Sequence, residues 1–247
     1  MKIIRIAISL YILTVASLNA SIVEIKSIDC VLKHVDKDSM VFFDIDNTIC
    51  AADEARATDQ WFSAMLAHAK TLGYQELPAV AAVLPYYEEA QKKSSVHAVE
   101  SQVATIIRTL QQRHIPVMTL TARSLPFVHC TKRQLRSIGI DLSCALFKKT
   151  DCMFTLKNGK ARFLNGCMFC GNNDKGEVLL QLLRAQQLAP KKIVFIDDKA
   201  KNLRCVQQAL AKKNIAFVGL RYGKTDAEVK SFVLDDASKA LLPVCKG

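Results

Sequence analysis

Two carboxylates separated by one residue leave an apolar run at Asp44-Ile45-Asp46-Asn47-Thr48. The preceding Val41-Phe42-Phe43, continued by Ile45, has the texture of a strand buried on both faces, and open parallel sheets bind their ligands beyond the carboxyl ends of such strands. Turned toward that crevice, one carboxylate can attack and the other can manage protons. The motif alone also fits a loop calcium site or a helix cap. Three later signals supply complementary chemistry. Met118-Thr119-Leu120-Thr121 ends a second apolar run on a hydroxyl. Asn173-Asp174-Lys175-Gly176 opens a helix, where an ammonium group and free backbone N–H groups together suit an anion. Ile193-Val194-Phe195-Ile196 runs into Asp197-Asp198, carboxylates suited to Mg²⁺, a hard cation that prefers oxygen ligands and pairs with phosphates.

These groups need a scaffold that brings several strand ends to one edge. The three apolar runs, with a fourth from Ile215 to Leu220, alternate with helix-length segments, the pattern of an α/β layer fold with a parallel sheet. Val99, Val103, Ile106, Ile107 and Leu110 recur at helical spacing before the second run, and Val178, Leu179, Leu182 and Leu183 before the third; both stripes are read as core. From Ile49 to His114 the connection is far longer than a crossover requires, so an insert is expected there. Trp61, Phe62, Met65, Leu66, Ala69 and Leu72 fit one amphipathic helix of it, and Pro78, Pro85, Tyr86 and Tyr87 mark expected breaks. Trp61, Phe62, Tyr86 and Tyr87 either line a pocket or form the core of the insert, and their helical spacing favours core. After Ser137 comes a second insert, with two short runs flanking Asn158-Gly159, a hairpin signal.

Taken in order, the four signals resemble the motifs of the haloacid dehalogenase superfamily of phosphoryl-transfer enzymes, over roughly Val41 to Leu220. Asp44 to Thr48 match the family's first motif, Thr121 the second, Lys175 the third, and Asp197 with Asp198 the fourth. The resemblance implies a Rossmann-like core with a helical cap at about residues 50–112, inserted after the strand that carries the first motif. It also suggests a minor hairpin lid at about 150–170. Asp44 is then the nucleophile, forming an aspartyl-phosphate. Asp46 is the general acid for the leaving alkoxide and then the base for water, and Thr121 and Lys175 hold the phosphate oxygens. Mg²⁺ is expected at Asp44, the backbone carbonyl of Asp46 and Asp197, with Asp198 either a further ligand or an orienter of Lys175. An acid at position 46 is similar to the phosphatase and phosphomutase branch, whereas transport ATPases carry Thr there and dehalogenases lack the acid. The expected activity is hydrolysis of a small-molecule phosphate ester, with transfer to another alcohol left open. The alternative is a phosphate- or metal-binding or host-interaction protein on the same scaffold.

Composition sets the outer bounds. A chain of 247 residues that is 50% apolar can bury a substantial core, which excludes long disorder. The net charge of +11 is diffuse, with no run of five or six like charges and no zinc-finger or helix-turn-helix spacing, which argues against a nucleic-acid module and suits an anionic ligand. Met1-Lys2-Ile3-Ile4-Arg5, the apolar run from Ile6 to about Leu18, and Ala20 read as a cleavable signal peptide over residues 1–20. The run is too short for a membrane span, so a periplasmic or secreted protein is expected. It fits an uncharacterised exported bacterial branch of the superfamily, similar in plan to secreted acid phosphatases. Nine cysteines in such a compartment make some disulfides plausible. Cys144, Cys152, Cys167 and Cys170 raise the question of zinc, but with a single CxxC and a strand-like setting they read better as buried thiols or one disulfide. Five scattered histidines show no metal-ligand spacing.

Overall fold

The apolar runs become inner strands of a sheet, as burial on both faces requires. The computed structural model describes residues 20–143 and 148–244. Its strands are β1 (Ala20–Ile25), β2 (Ser39–Phe43), β3 (Cys50–Ala52), β4 (Val96–Ala98), β5 (Val117–Thr121), β6 (Asp151–Leu156), β7 (Gly159–Leu164), β8 (Cys167–Phe169), β9 (Lys192–Asp197) and β10 (Ala216–Tyr222). The helices are α1 (Asp59–Thr71), α2 (Glu76–Lys93), α3 (Val103–Gln112), α4 (Val128–Ser137), α5 (Lys175–Gln186), α6 (Ala200–Ala211), α7 (Asp226–Ser231) and α8 (Asp236–Lys239). The main sheet runs β1-β10-β9-β2-β5-β8-β7-β6, parallel from β1 to β8 and antiparallel for the last two pairings. The molecule is therefore of the expected α/β class, with a mostly parallel central sheet.

Each face of that sheet carries its own core. Ile28, Val31 and the α3 stripe Val103, Ile106, Ile107 and Leu110 cover one face, against Val41, Phe43, Val194 and Ile196. Val178, Leu179, Leu182 and Leu183 of α5, with Leu203, Val206 and Leu210 of α6, cover the other, against Phe42, Met118 and Phe195. Helices α5 and α6 approach closely at Gly176, where an added Cβ would lie 2.5 Å from the Cys205 carbonyl oxygen and 2.8 Å from Ala209 Cβ. Gly176→Ala is thus expected to lower stability by about 1–3 kcal/mol, although Ala is the better helix former. A urea midpoint equal to or above the parent's would show that the two helices separate freely.

Three features depart from the sequence expectations. The strand carrying Asp44 is second in the chain, because β1 adds an edge strand on β10, in register from Ala20↔Phe217 to Ile25↔Tyr222. Only Ile25 of residues 21–25 is fully buried, so β1 lacks the apolar run that marks the inner strands. The signal-peptide expectation otherwise lies outside the described residues. Second, Pro78 and Pro85 do not break α2, which runs through both. Pro78 sits in the first turn, where its missing N–H would have no intrahelical partner. Pro85 is exposed, and the buried stripe of Ala79, Val83, Tyr87 and Ala90 holds the helix across the lost bond. Third, the hairpin of β6 and β7 is continuous with the main sheet through β8. It turns at Lys157-Asn158 with Gly159 at φ +118°, a conformation that favours glycine.

The long insert is pinched at its base. Strands β3 and β4 pair antiparallel from Cys50↔Ala98 to Ala52↔Val96, and α1 and α2 rise between them. Thr58 caps α1 by accepting from the Trp61 N–H. The chain beyond β10 returns to the outside of these helices. Trp61 Nε1 donates to Ser238 Oγ at 2.9 Å, Tyr74 to the Pro243 carbonyl at 3.0 Å and Tyr86 to the Leu241 carbonyl at 3.2 Å. Leu234 and Leu242 join Trp61 and Met65 in a third core cluster. The seven described cysteines, Cys30, Cys50, Cys130, Cys152, Cys167, Cys170 and Cys205, are all free thiols, while Cys144 and Cys245 lie outside the described residues. The described residues include no helix long and apolar enough to cross a membrane.

Candidate active site

Register brings the acids of the first and fourth signals side by side. Phe43 of β2 pairs with Ile196 of β9, so Asp44 and Asp197 follow at the same height, and the Asp44 N–H donates to the Ile196 carbonyl at 2.8 Å. Beyond Asp44 the chain turns sharply. Thr48, Ile49 and Cys50 all donate to the Ile45 carbonyl, and Asn47 takes a left-handed φ of +57°. This turn carries Asp46 up into the space beneath the insert and delivers the chain to β3.

Lys175, the first residue of α5, lies between the two acids. Asp174 caps the helix by accepting from the Glu177 N–H, and the Lys175 ammonium donates to Asp197 Oδ2 at 2.7 Å and pairs with Asp44 Oδ1 at 3.0 Å. Burial disfavours its charge, but the two carboxylates outweigh that and hold it well above the usual lysine range. Asp197 is fully enclosed. Its Oδ1 accepts from the Lys199 N–H and Asn202 Nδ2, and its Oδ2 from Lys175 and Asn202.

Asp44, Asp197 and Asp198 each offer a carboxylate oxygen, all within 4.8 Å of one another. Burial, then the neighbouring carboxylates, push Asp44 up to about 7 against the opposing pull of Lys175, and push Asp198 up to about 8. Asp44 Oδ1 is buried, and among the described residues the Lys175 ammonium at 3.0 Å is the one cation that faces it. Crowded, oxygen-only and short of positive charge, this cluster suits a hard divalent cation. The pH consequence follows for the metal-free protein. Both folded values lie above the ordinary range of an aspartate carboxyl, so the folded state holds the extra protons and is favoured at low pH, losing stability as pH rises through 7 to 8. In chelator, the melting midpoint is expected to be higher at pH 6 than at pH 8.5, and Mg²⁺ is expected to raise it more at pH 8.5. A chelated midpoint that is flat or rises from pH 6 to 8.5 would contradict the clustered acids.

Asp46 points elsewhere. Both its oxygens are held by Arg123, Oδ2 by Nε at 2.9 Å and Oδ1 by Nη2 at 2.7 Å. Burial alone would raise its pKa, but the Arg123 charge and these bonds outweigh that and hold the carboxyl below its ordinary value. Arg123 is itself buried, and its Nη1 donates to Thr131 Oγ1 at 2.9 Å and Gln134 Oε1 at 2.6 Å. Gln134 Nε2 in turn donates to Gln91 on α2. Thr121, the last residue of β5, is enclosed and accepts from the Arg123 N–H at 3.2 Å. On the other side Lys199 Nζ reaches Asp59 Oδ2 of α1 at 2.7 Å, a direct tie between core and insert.

The structure thus groups Asp44, Lys175, Asp197 and Asp198, and sets Asp46 and Thr121 beside them around Arg123. The sequence reading missed Arg123, Asn202 and the Asp59–Lys199 pair. Arg123 left a signal, as a charged residue two positions beyond a strand-end hydroxyl. The aromatics divide: Trp61 and Tyr86 anchor the returning C-terminal segment, whereas Phe62 and Tyr87 border a cavity next to Asp46.

The chain belongs to the family described as "Protein of unknown function (DUF2608)", whose model matches residues 21–241. It is 25% identical to a Chlamydia trachomatis protein named "Putative outer membrane protein", over 76% of this chain and 70% of that one. A Chlamydia muridarum protein of the same name is 26% identical over 84% and 79%. An uncharacterized protein of Rickettsia prowazekii is 25% identical over 90% and 85%. Among solved structures, a haloacid dehalogenase-like hydrolase of Streptococcus pneumoniae superposes with a TM-score of 0.44 at 14% identity, covering 73% of this chain and 92% of that one.

Proposed function

We propose that the chain is an exported, Mg²⁺-dependent phosphomonoester hydrolase of the haloacid dehalogenase type. The observation that carries this reading is the buried constellation at adjacent strand ends, Asp44 and Asp197 bridged by Lys175 with Asp198 alongside. A bound divalent cation there would offset the charge of the phosphoryl oxygens. Its holders would be Asp44, Asp198 and the Asp46 carbonyl. Asp197, the fourth-motif acid assigned to the metal on sequence, accepts four hydrogen bonds from three groups, Lys175, the Lys199 N–H and Asn202, which favours it as the anchor of Lys175 and Asn202.

In the reaction, Asp44 attacks phosphorus as the ester P–O bond breaks, and Asp46 gives a proton to the departing alkoxide. Water then attacks the aspartyl-phosphate, Asp46 takes its proton, and the bond to Asp44 breaks to release inorganic phosphate. Lys175 and Thr121 hold the phosphoryl oxygens throughout. Asp46 suits the second step as it stands, since Arg123 keeps it ionised. Export is supported by the leader reading of residues 1–20 and by relatives named for the outer membrane. The test is phosphate release by the purified chain from acetyl phosphate and a panel of phosphomonoesters, with Mg²⁺ and with chelator. Metal-dependent release is expected; none from any compound by a folded, metal-loaded protein would remove the hydrolase reading.

A further inference from the structure

Next to Asp46 the insert leaves a cavity of about 290 Å³. Phe62 and Leu66 of α1, Val80, Leu84 and Tyr87 of α2, and Phe127 line its apolar side, and Ser124 and Asn172 are among the polar residues that border the rest. Three of these are a connected aromatic surface, Phe62 with its ring centroid 4.8 Å from Tyr87, and Tyr87 5.5 Å from Phe127. The charged groups that border the space already have partners, Asp46 with Arg123 and Asp59 with Lys199. What remains toward the insert is apolar.

We infer that this cavity receives the alcohol part of the substrate and selects the phosphomonoester of an apolar arylalkyl or medium-length alkyl alcohol over that of a sugar or nucleoside. The inference rests on the hydrolase reading above, because Asp46 as proton donor must lie beside the leaving oxygen, and the cavity is the space that Asp46 borders. Ser124 and Asn172 can meet only hydroxyls on their own side; those turned toward the insert would give up bonds to water without replacement, whereas an apolar group gains from leaving water. The size agrees with the chemistry. The cavity has almost twice the volume of the roughly 150 Å³ apolar cavity that takes up benzene, room for a phenyl ring and a short chain.

The experiment is a series of alkyl phosphates, ethyl, butyl and hexyl, with phenethyl phosphate, glycerol 1-phosphate and ribose 5-phosphate, assayed with the Mg²⁺-loaded chain. These are esters of aliphatic alcohols, so bond reactivity varies little and the cavity dominates the ranking. Each buried methylene is expected to raise kcat/KM about fourfold until the space is full. Phenethyl phosphate should then exceed glycerol 1-phosphate by about thirtyfold or more. A flat series, or a sugar phosphate ahead of phenethyl phosphate, overturns the inference while leaving the hydrolase reading intact. A calorimetric comparison of phenethylphosphonate and ethylphosphonate separates the two claims if no ester is hydrolysed. In that case the hydrolase reading falls, tighter binding of the larger phosphonate by about tenfold still supports the cavity, and equal binding overturns it. Val80→Trp, at a half-buried position, should shorten the chain length at which the gain stops. A variant that melts like the parent yet keeps the whole gain counts against the cavity.

Discussion

Asp44→Asn should reduce Mg²⁺-dependent phosphate release by a factor of about 10⁴ or more, because the amide cannot form the covalent intermediate. The same substitution should leave the fold standing. Asn has nearly the same shape, and it replaces a carboxyl whose charge is disfavoured by burial and by Asp197 and Asp46, its pKa pushed up to about 7. Removing that charge relieves the metal-free protein above pH 7, so its melting midpoint at pH 8 should equal or exceed the parent's. The two measurements together separate chemistry from collapse. Residual activity above about a tenth of the parent's would remove Asp44 as nucleophile. A large fall in midpoint beside lost activity would instead make Asp44 a structural acid.

The residues of this centre were legible in the sequence to the extent that each announces itself locally. Asp44, Thr121 and Asp197 follow or end apolar strands, and Lys175 follows a turn that starts a helix; these are statements about neighbours in the chain. Arg123 belongs to another kind of information. Its value lies in Asp46, 77 residues earlier, and in Gln134, 11 residues later, and isolated Arg and Gln residues in a sequence look like solvated surface. The prolines of α2 were misread for a related reason. A local rule predicts breaks, whereas the buried stripe from Ala79 to Ala90 and the segment packed on the outside of the insert decide the outcome. Strand β1 was missed because an edge strand with one buried side chain has no distinctive pattern. The length of the connection predicts an insert, but says nothing of its attachment. The Trp61, Tyr74 and Tyr86 hydrogen bonds to residues 155 to 177 positions away tie its outer face to the C-terminal segment.

The second large effect concerns Arg123. Arg123→Met removes a buried guanidinium that joins Asp46, Thr131 and Gln134, and leaves Asp46 beneath the insert without its partner. Breaking a buried pair on one side costs about 3–5 kcal/mol. For a domain of this size that corresponds to a fall of about 10 °C in melting midpoint. The pH profile supplies a readout that a merely structural role would not move. Arg123 holds the Asp46 carboxyl below its ordinary value, so the parent keeps the acid form of Asp46 only at low pH. Without Arg123 the burial that remains raises that value, and the alkaline limb of kcat/KM should move to higher pH in the variant. Adding Asp46→Asn to Arg123→Met should cost less stability than the sum of the two single changes, since each single change strands the other's partner. Strict additivity, together with an unmoved alkaline limb, would mean that the pair seen in the structure governs neither the stability nor the proton chemistry of Asp46.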